Sequence, residues 1–157
     1  MNAIISRIRS YPEKGRAGLE LYEAQLIENL GLLGDRHAQG GERQISLLLA
    51  ENLEQSPYRE KALCLARFRE NITILGMVPA LAADTLPALV PGTLLGAGEA
   101  ILEITGETKR CHEECALYKS GERCSLAGLN LFAKVLKGGI IRVGEQICKI
   151  EEISIIK

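Results

Sequence analysis

LPALVPGTLLGAGEAILEIT, residues 86–105, admits two readings that lead to different folds. Its Gly96-Ala97-Gly98 opens like the glycine fingerprint of a dinucleotide-binding turn, which would make the chain an α/β protein. The third glycine of that fingerprint is Ile101, however, and no strand-to-helix context follows. The prolines and glycines instead break the stretch into two short strands around Gly96-Ala97-Gly98. That reading makes the chain β-rich.

The flanks agree. AIISRIR (3–9) alternates apolar and polar residues and predicts a strand, and YPEKG (11–15) is a turn. LELYEAQLIE (19–28) predicts a second strand, and GLLGDRHAQGGERQ (31–44) a long glycine-rich loop or hairpin. ISLLLA (45–50) and ITILG (72–76) are short apolar strands, separated by ENLEQSP (51–57), a short helix ended by Pro57. In SLAGLNLFAKVLKGG (125–139), Leu126, Leu129, Phe132 and Leu136 share a helical face. Ser125 caps its start and Gly138-Gly139 stop it, so a helix is predicted. IIRVGEQICKIEEISIIK (140–157) returns to alternation and predicts two final strands. Many short strands with turns between them predict a mainly β fold, a closed or half-closed barrel with a few short helices.

Composition limits the function classes. A chain of 157 residues predicts a single domain, residues 1–157, large enough to bury a core without staples. A net charge of −1 supplies no field for nucleic acid or an anionic membrane. The longest apolar runs fall short of the roughly 18 residues that span a bilayer. MNAIISRIRS (1–10) does not read as a leader, and five cysteines are an odd number, so a cytoplasmic location without disulfides is expected.

CHEECALYKSGERC (111–124) gathers three of those cysteines and one of the two histidines. Cys111, Cys115 and Cys124 form part of a structural zinc pattern, but the usual second ligand pair is missing, unless His37 completes the site. The same residues also read as reactive thiols. Cys111 follows Lys109 and Arg110 and precedes His112, and nearby positive charge favours the thiolate. Cys115 and Cys124 would then be resolving thiols, with His112 beside the nucleophile. Cys64 and Cys148 lie in apolar patterns and are expected in the core. The glycine-rich loop carries Asp35, Arg36, His37 and Arg43; its arginines present forked donors suited to phosphate, or the stretch is simply a solvated charged hairpin. In FRENIT (68–73), Arg69 and Asn71 fall on one side of an extended chain, as a ligand clamp or a surface ion-pair set.

In order, GLLGDRHAQGGERQISLL, FRENITILG, KRCHEEC and FAKVLKGGIIRVGEQI resemble a MOSC domain, named for the C-terminal domain of molybdenum cofactor sulfurase. The resemblance runs from about Gly31 to Ile147 and is nearest to the small bacterial stand-alone members. It implies a β-barrel and places the family's key cysteine on Cys111. In sulfurase-type relatives, a family tied to pyridoxal phosphate-dependent sulfuration, that cysteine is proposed to carry sulfur as a persulfide. In relatives that reduce N-hydroxylated compounds, such as the mitochondrial amidoxime-reducing component, it is a molybdenum ligand. Those reductases carry FRPNI where this chain has FRENI, which implies Arg69 and Asn71 as ligands of the pterin or its phosphate. Glu70 replaces their proline. The GDRH hallmark falls on Asp35, Arg36 and His37.

The chain is expected to be without the extra N-terminal region of the reductases, and His112 and Cys115 are not general family features. The expectation is therefore a molybdenum-cofactor-associated domain, with molybdopterin bound or sulfur carried on Cys111. Its partners would be cofactor biosynthesis or sulfuration proteins, and its enzyme class would be sulfur transfer or molybdenum-dependent reduction. The alternative is a non-catalytic docking module whose Cys111, Cys115 and Cys124 hold zinc.

Overall fold

A computed structural model describes residues 3–49, 69–76, 89–108, 119 and 130–150 of the chain. Among these residues the regular structure is strand, with almost no helix. In chain order the strands are β1 (Ala3–Ser10), β2 (Leu19–Leu21), β3 (Glu23–Ile27), β4 (Gly31–Leu32), β5 (Ile45–Leu49) and β6 (Ile72–Leu75). They continue with β7 (Leu94–Ala97), β8 (Ala100–Thr108), β9 (Asn130–Lys137), β10 (Gly139–Arg142) and β11 (Gln146–Lys149). Seven of them, in the order β1-β6-β5-β9-β8-β7-β11, close on themselves into a barrel. β10, β3 and β4 form a separate small sheet.

β1 makes closure possible because three strands share its edges. One edge pairs with β6. The other pairs with β11 through Ala3 and Ile4, then with β2 through Ile8, Arg9 and Ser10. A bulge between Ile5 and Arg7 shifts the register, so Ile5 and Ile8 both point inward although three positions separate them. Both are fully buried, with Ile45, Leu47, Ile72, Leu95, Leu102, Ala133 and Ile147. β5 and β6 are parallel and every other barrel pair is antiparallel. Hence β5 and β6 begin at the end of the barrel where β1 finishes. β8 runs the same way as β5 and finishes, at Thr108, towards the other end.

The strand–turn–strand reading of residues 86–105 holds over its described part, 89–105, with Gly98 and Glu99 joining β7 to β8. Three expectations are corrected. Residues 130–137 are a strand, not part of a helix over 125–139. Ala133 and Val135 fill the barrel at strand spacing, and β9 pairs with both β5 and β8. The Gly138-Gly139 pair is a passage from β9 into β10 rather than a helix stop. A Cβ on Gly138 would lie 2.6 Å from the Leu26 carbonyl oxygen. Residues 19–28 are two strands, because the chain leaves the barrel at Tyr22 for the small sheet. Cys148 is exposed: Ile147 points inward, so its neighbour on β11 points out. The helix expected over 51–57, Cys64 and the stretch 151–157 lie outside the described residues.

Candidate functional site

The glycine-rich loop folds back onto Tyr11, the first residue after β1. Asp35 fixes it there. Its side chain is fully buried, and Oδ1 accepts the Tyr11 N–H at 2.7 Å while Oδ2 accepts the His37 N–H at 3.0 Å. The Arg36 N–H donates to the Tyr11 carbonyl at 3.0 Å. Asp35 Oδ2 also lies 3.3 Å from His37 Nδ1. The imidazole is 45% exposed, and its Nε2 stands 3.3 Å from Arg36 Nη2. A guanidinium can only donate, so Nε2 accepts from Arg36 and the proton of the neutral ring lies on Nδ1, facing the carboxylate.

The segment leading into β6 meets the Tyr11 ring. The Arg69 guanidinium lies over the Tyr11 ring, 5.7 Å from its centroid, and donates to the Arg16 carbonyl at 3.2 Å. A Cβ on Gly18 would come within 2.6 Å of that ring, so glycine is required there. Glu70, at the reductases' proline position, is buried with its carboxylate 3.6 Å from Arg9 Nη1. Arg9 also donates to Glu20 at 3.2 Å. The Tyr11 hydroxyl is enclosed without a well-formed hydrogen bond, and burial pushes the phenol above its ordinary value.

Asn71 is equally buried, and its amide is engaged by the barrel. Oδ1 accepts the Ser46 N–H at 3.0 Å, and Nδ2 donates to the Arg9 carbonyl at 3.1 Å. Arg43 stacks on Phe132, 5.1 Å from the ring centroid. The adjoining Gln44 ties the loop to β9 by accepting the Val135 N–H at 2.9 Å.

The structure thus brings Asp35, Arg36, His37 and Arg69 together around Tyr11, with Asn71 beneath them in the wall. Arg43 sits further along the loop, against β9. Cys111, His112, Cys115 and Cys124 lie outside the described residues. Sequence reasoning assigned no role to Tyr11, Arg9 or Gln44, and took Glu70 only as a departure from the reductases' proline. Tyr11 reads only as the start of a turn. Among the described residues no group of three or more His, Cys, Asp or Glu is placed to hold a metal ion. Nor is any helix among them long and apolar enough to cross a membrane.

A family model described as MOSC domain matches residues 34–148, from the GDRH loop to the end of the barrel. The chain belongs to the MOSC domain family. Solved structures share the fold of this MOSC chain. The YuaD protein from Bacillus subtilis superposes with a TM-score of 0.60 at 17% identity, over 94% of each chain. YiiM from Escherichia coli gives 0.60 at 15%, covering 97% of this chain and 71% of its own. YiiM from Geobacillus stearothermophilus gives 0.62 at 15%, covering 95% and 75%. No functionally curated protein matches the sequence.

Proposed function

We propose that this MOSC domain handles molybdenum cofactor, gripping its terminal phosphate at the Tyr11 end and presenting Cys111 to the molybdenum or its sulfur. Membership of a family associated with molybdenum cofactor supports the class of ligand. The observation that carries the grip is the placement of Arg36 and Arg69, both half-exposed, beside one anchored tyrosine, Arg36 through its backbone and Arg69 over the ring. Planar guanidinium forks match phosphate oxygens, so this donor set fits a phosphate-terminated group. Bound cofactor would supply the redox chemistry, and Cys111 would offer it a soft thiolate.

In the sulfur-carrying form, the Cys111 thiolate attacks the outer sulfur of a donor persulfide. The S–S bond of the donor breaks, the donor leaves as thiolate, and Cys111 becomes the persulfide with no net redox change. A cysteine desulfurase is the class of partner that supplies such a donor, and the setting is cytoplasmic.

The test is molybdenum and pterin content after production in a host that makes the cofactor. Wild type should retain both. Cys111→Ser should lose molybdenum, and Arg69→Ala should retain the pterin about tenfold less well, the loss of one charge-assisted contact. Wild type that holds neither metal nor pterin, and gains no sulfur mass from desulfurase and cysteine, would sink the proposal.

A further inference from the structure

Two cationic side chains stand side by side in the loop, and one of them can change its charge. Arg36 Nη2 and His37 Nε2 are 3.3 Å apart. With the imidazole neutral, Nε2 accepts from the guanidinium. With it protonated, both nitrogens are donors and repel unless an anion bridges them. Asp35 settles which outcome the fold supports. Its buried carboxylate already holds the ring at Nδ1 and the His37 N–H, so an imidazolium formed there faces a fixed negative charge on one side. Of the other charged groups, Glu42 and Arg43 lie further along the loop, against Lys134 and Phe132 of β9. Arg69 lies over Tyr11, and Arg9 and Glu70 form their own pair. None of these supplies a second carboxylate to the outward Nε2 in the hydrogen bonds and ion pairs of the described residues.

We infer that Arg36 and His37 form a proton-coupled site for a tetrahedral dianion of the phosphate class, with Asp35 as its positioning residue. On binding, a proton from solvent adds to His37 Nε2, the N–H bond forms, and the ring passes from neutral to +1. The dianion then lies between two cationic donors. The inference rests on the phosphate grip proposed above but assigns His37 the part of a charge that appears only with the ligand.

Sulfate is the probe, because it carries no titratable proton near neutral pH and any proton taken up must land on the protein. The chain has only two histidines, so ring ¹⁵N spectra are simple, and His112→Gln assigns them. The expected result is that neutral His37 shows the Nδ1–H tautomer and that sulfate at pH 7.5 converts it towards imidazolium. Calorimetry in two buffers of different ionisation heat should show proton uptake with sulfate. His37→Gln should abolish that uptake and weaken sulfate binding about tenfold. Asp35→Asn should shift the tautomer and reduce the uptake. Should that variant fail to fold, the exposed His37→Gln still decides the matter. Sulfate binding that leaves the His37 ring unchanged overturns the inference, as does an absence of sulfate binding. Neither outcome depends on cofactor retention. A protein that copurifies with molybdopterin while sulfate leaves His37 neutral refutes the inference alone. Proton-coupled sulfate binding in a protein that never holds molybdopterin refutes only the cofactor reading.

Discussion

Asn71 joins three strands with one side chain. Its amide bonds the Ser46 N–H of β5 and the Arg9 carbonyl of β1, and its own backbone bonds Ser46 and Arg9 as well. Removing the amide strands a buried donor and a buried acceptor, each costing about 1–3 kcal/mol. Asn71→Ala should therefore lower stability by roughly 2–4 kcal/mol in urea unfolding, and Asn71→Asp should not rescue it, because Asp cannot donate to the Arg9 carbonyl. Loss of pterin retention in Asn71→Ala would then follow from a loosened wall.

Tyr11 gives a second prediction at the residue scale. Its phenol is held protonated by burial, so the folded chain binds that proton more tightly than the unfolded chain does. Its contribution is whole below the ordinary value of 10.0 and falls as pH rises past it through the raised folded value. Melting temperatures between pH 9 and 11 should decline more steeply in wild type than in Tyr11→Phe. Equal slopes would mean that the Tyr11 phenol does not ionise differently in the two states. The loop residues Asp35, Arg36 and His37 were legible in the sequence because glycines and charges stand out against apolar strands. Tyr11 and Glu70 were not, since their meaning comes from neighbours more than twenty positions away.

At the scale of elements, the short alternating strands were legible and β9 was not. Leu126, Leu129, Phe132 and Leu136 have helical spacing, while Leu131, Ala133 and Val135 have strand spacing, and one stretch of sequence satisfies both patterns. Tertiary pairing decides between them: β5 and β8 offer β9 two open edges, and Gln44 receives the Val135 N–H. Period also misled at β2 and β3, where one alternating run is shared between two sheets. The two readings of β9 predict opposite mutational outcomes. Ala133 is fully buried between Ile45 and Ile104, so Ala133→Glu places an unpaired charge in the barrel and should cost about 4 kcal/mol or more. Lys134 faces outward, pairing with Glu42 at 3.2 Å and Glu103 at 3.8 Å. Lys134→Glu should cost about 1 kcal/mol. On a helix packed through Leu129, Phe132 and Leu136, Leu136→Glu would be the costly change, whereas on β9 Leu136 is exposed and should tolerate it, unlike Ala133. Thermal melts of the two variants separate the cases.

For the molecule as a whole, closure of the barrel depends on a narrow seam. Between β1 and β11 the register joins only Ala3 to Ile147 and Ile4 to Gln146, helped by the Ile5 N–H donating to the Glu145 carbonyl at 2.9 Å and the Gly144 N–H to the Ile5 carbonyl at 2.8 Å. β8 and β9, by contrast, run together from Ile101 and Lys137 to Thr108 and Leu131. Closing a ring requires a pairing between chain segments far apart in sequence, and here the stretch that achieves it is the shortest around the barrel. Local opening follows the fewest bonds and the least buried apolar area, so the seam should open before the β8–β9 ladder. Native-state hydrogen exchange should find the amides of Ile5 and Ile147 less protected than those of Glu103 and Lys134, which face each other across that ladder. Because Ile147 is fully buried, Ile147→Ala removes apolar packing at the seam and should destabilise the fold by about 2–5 kcal/mol. It should also widen that difference in protection. If the seam amides instead exchange only with global unfolding, the barrel opens as one unit, and its closure is as strong as its longest ladder.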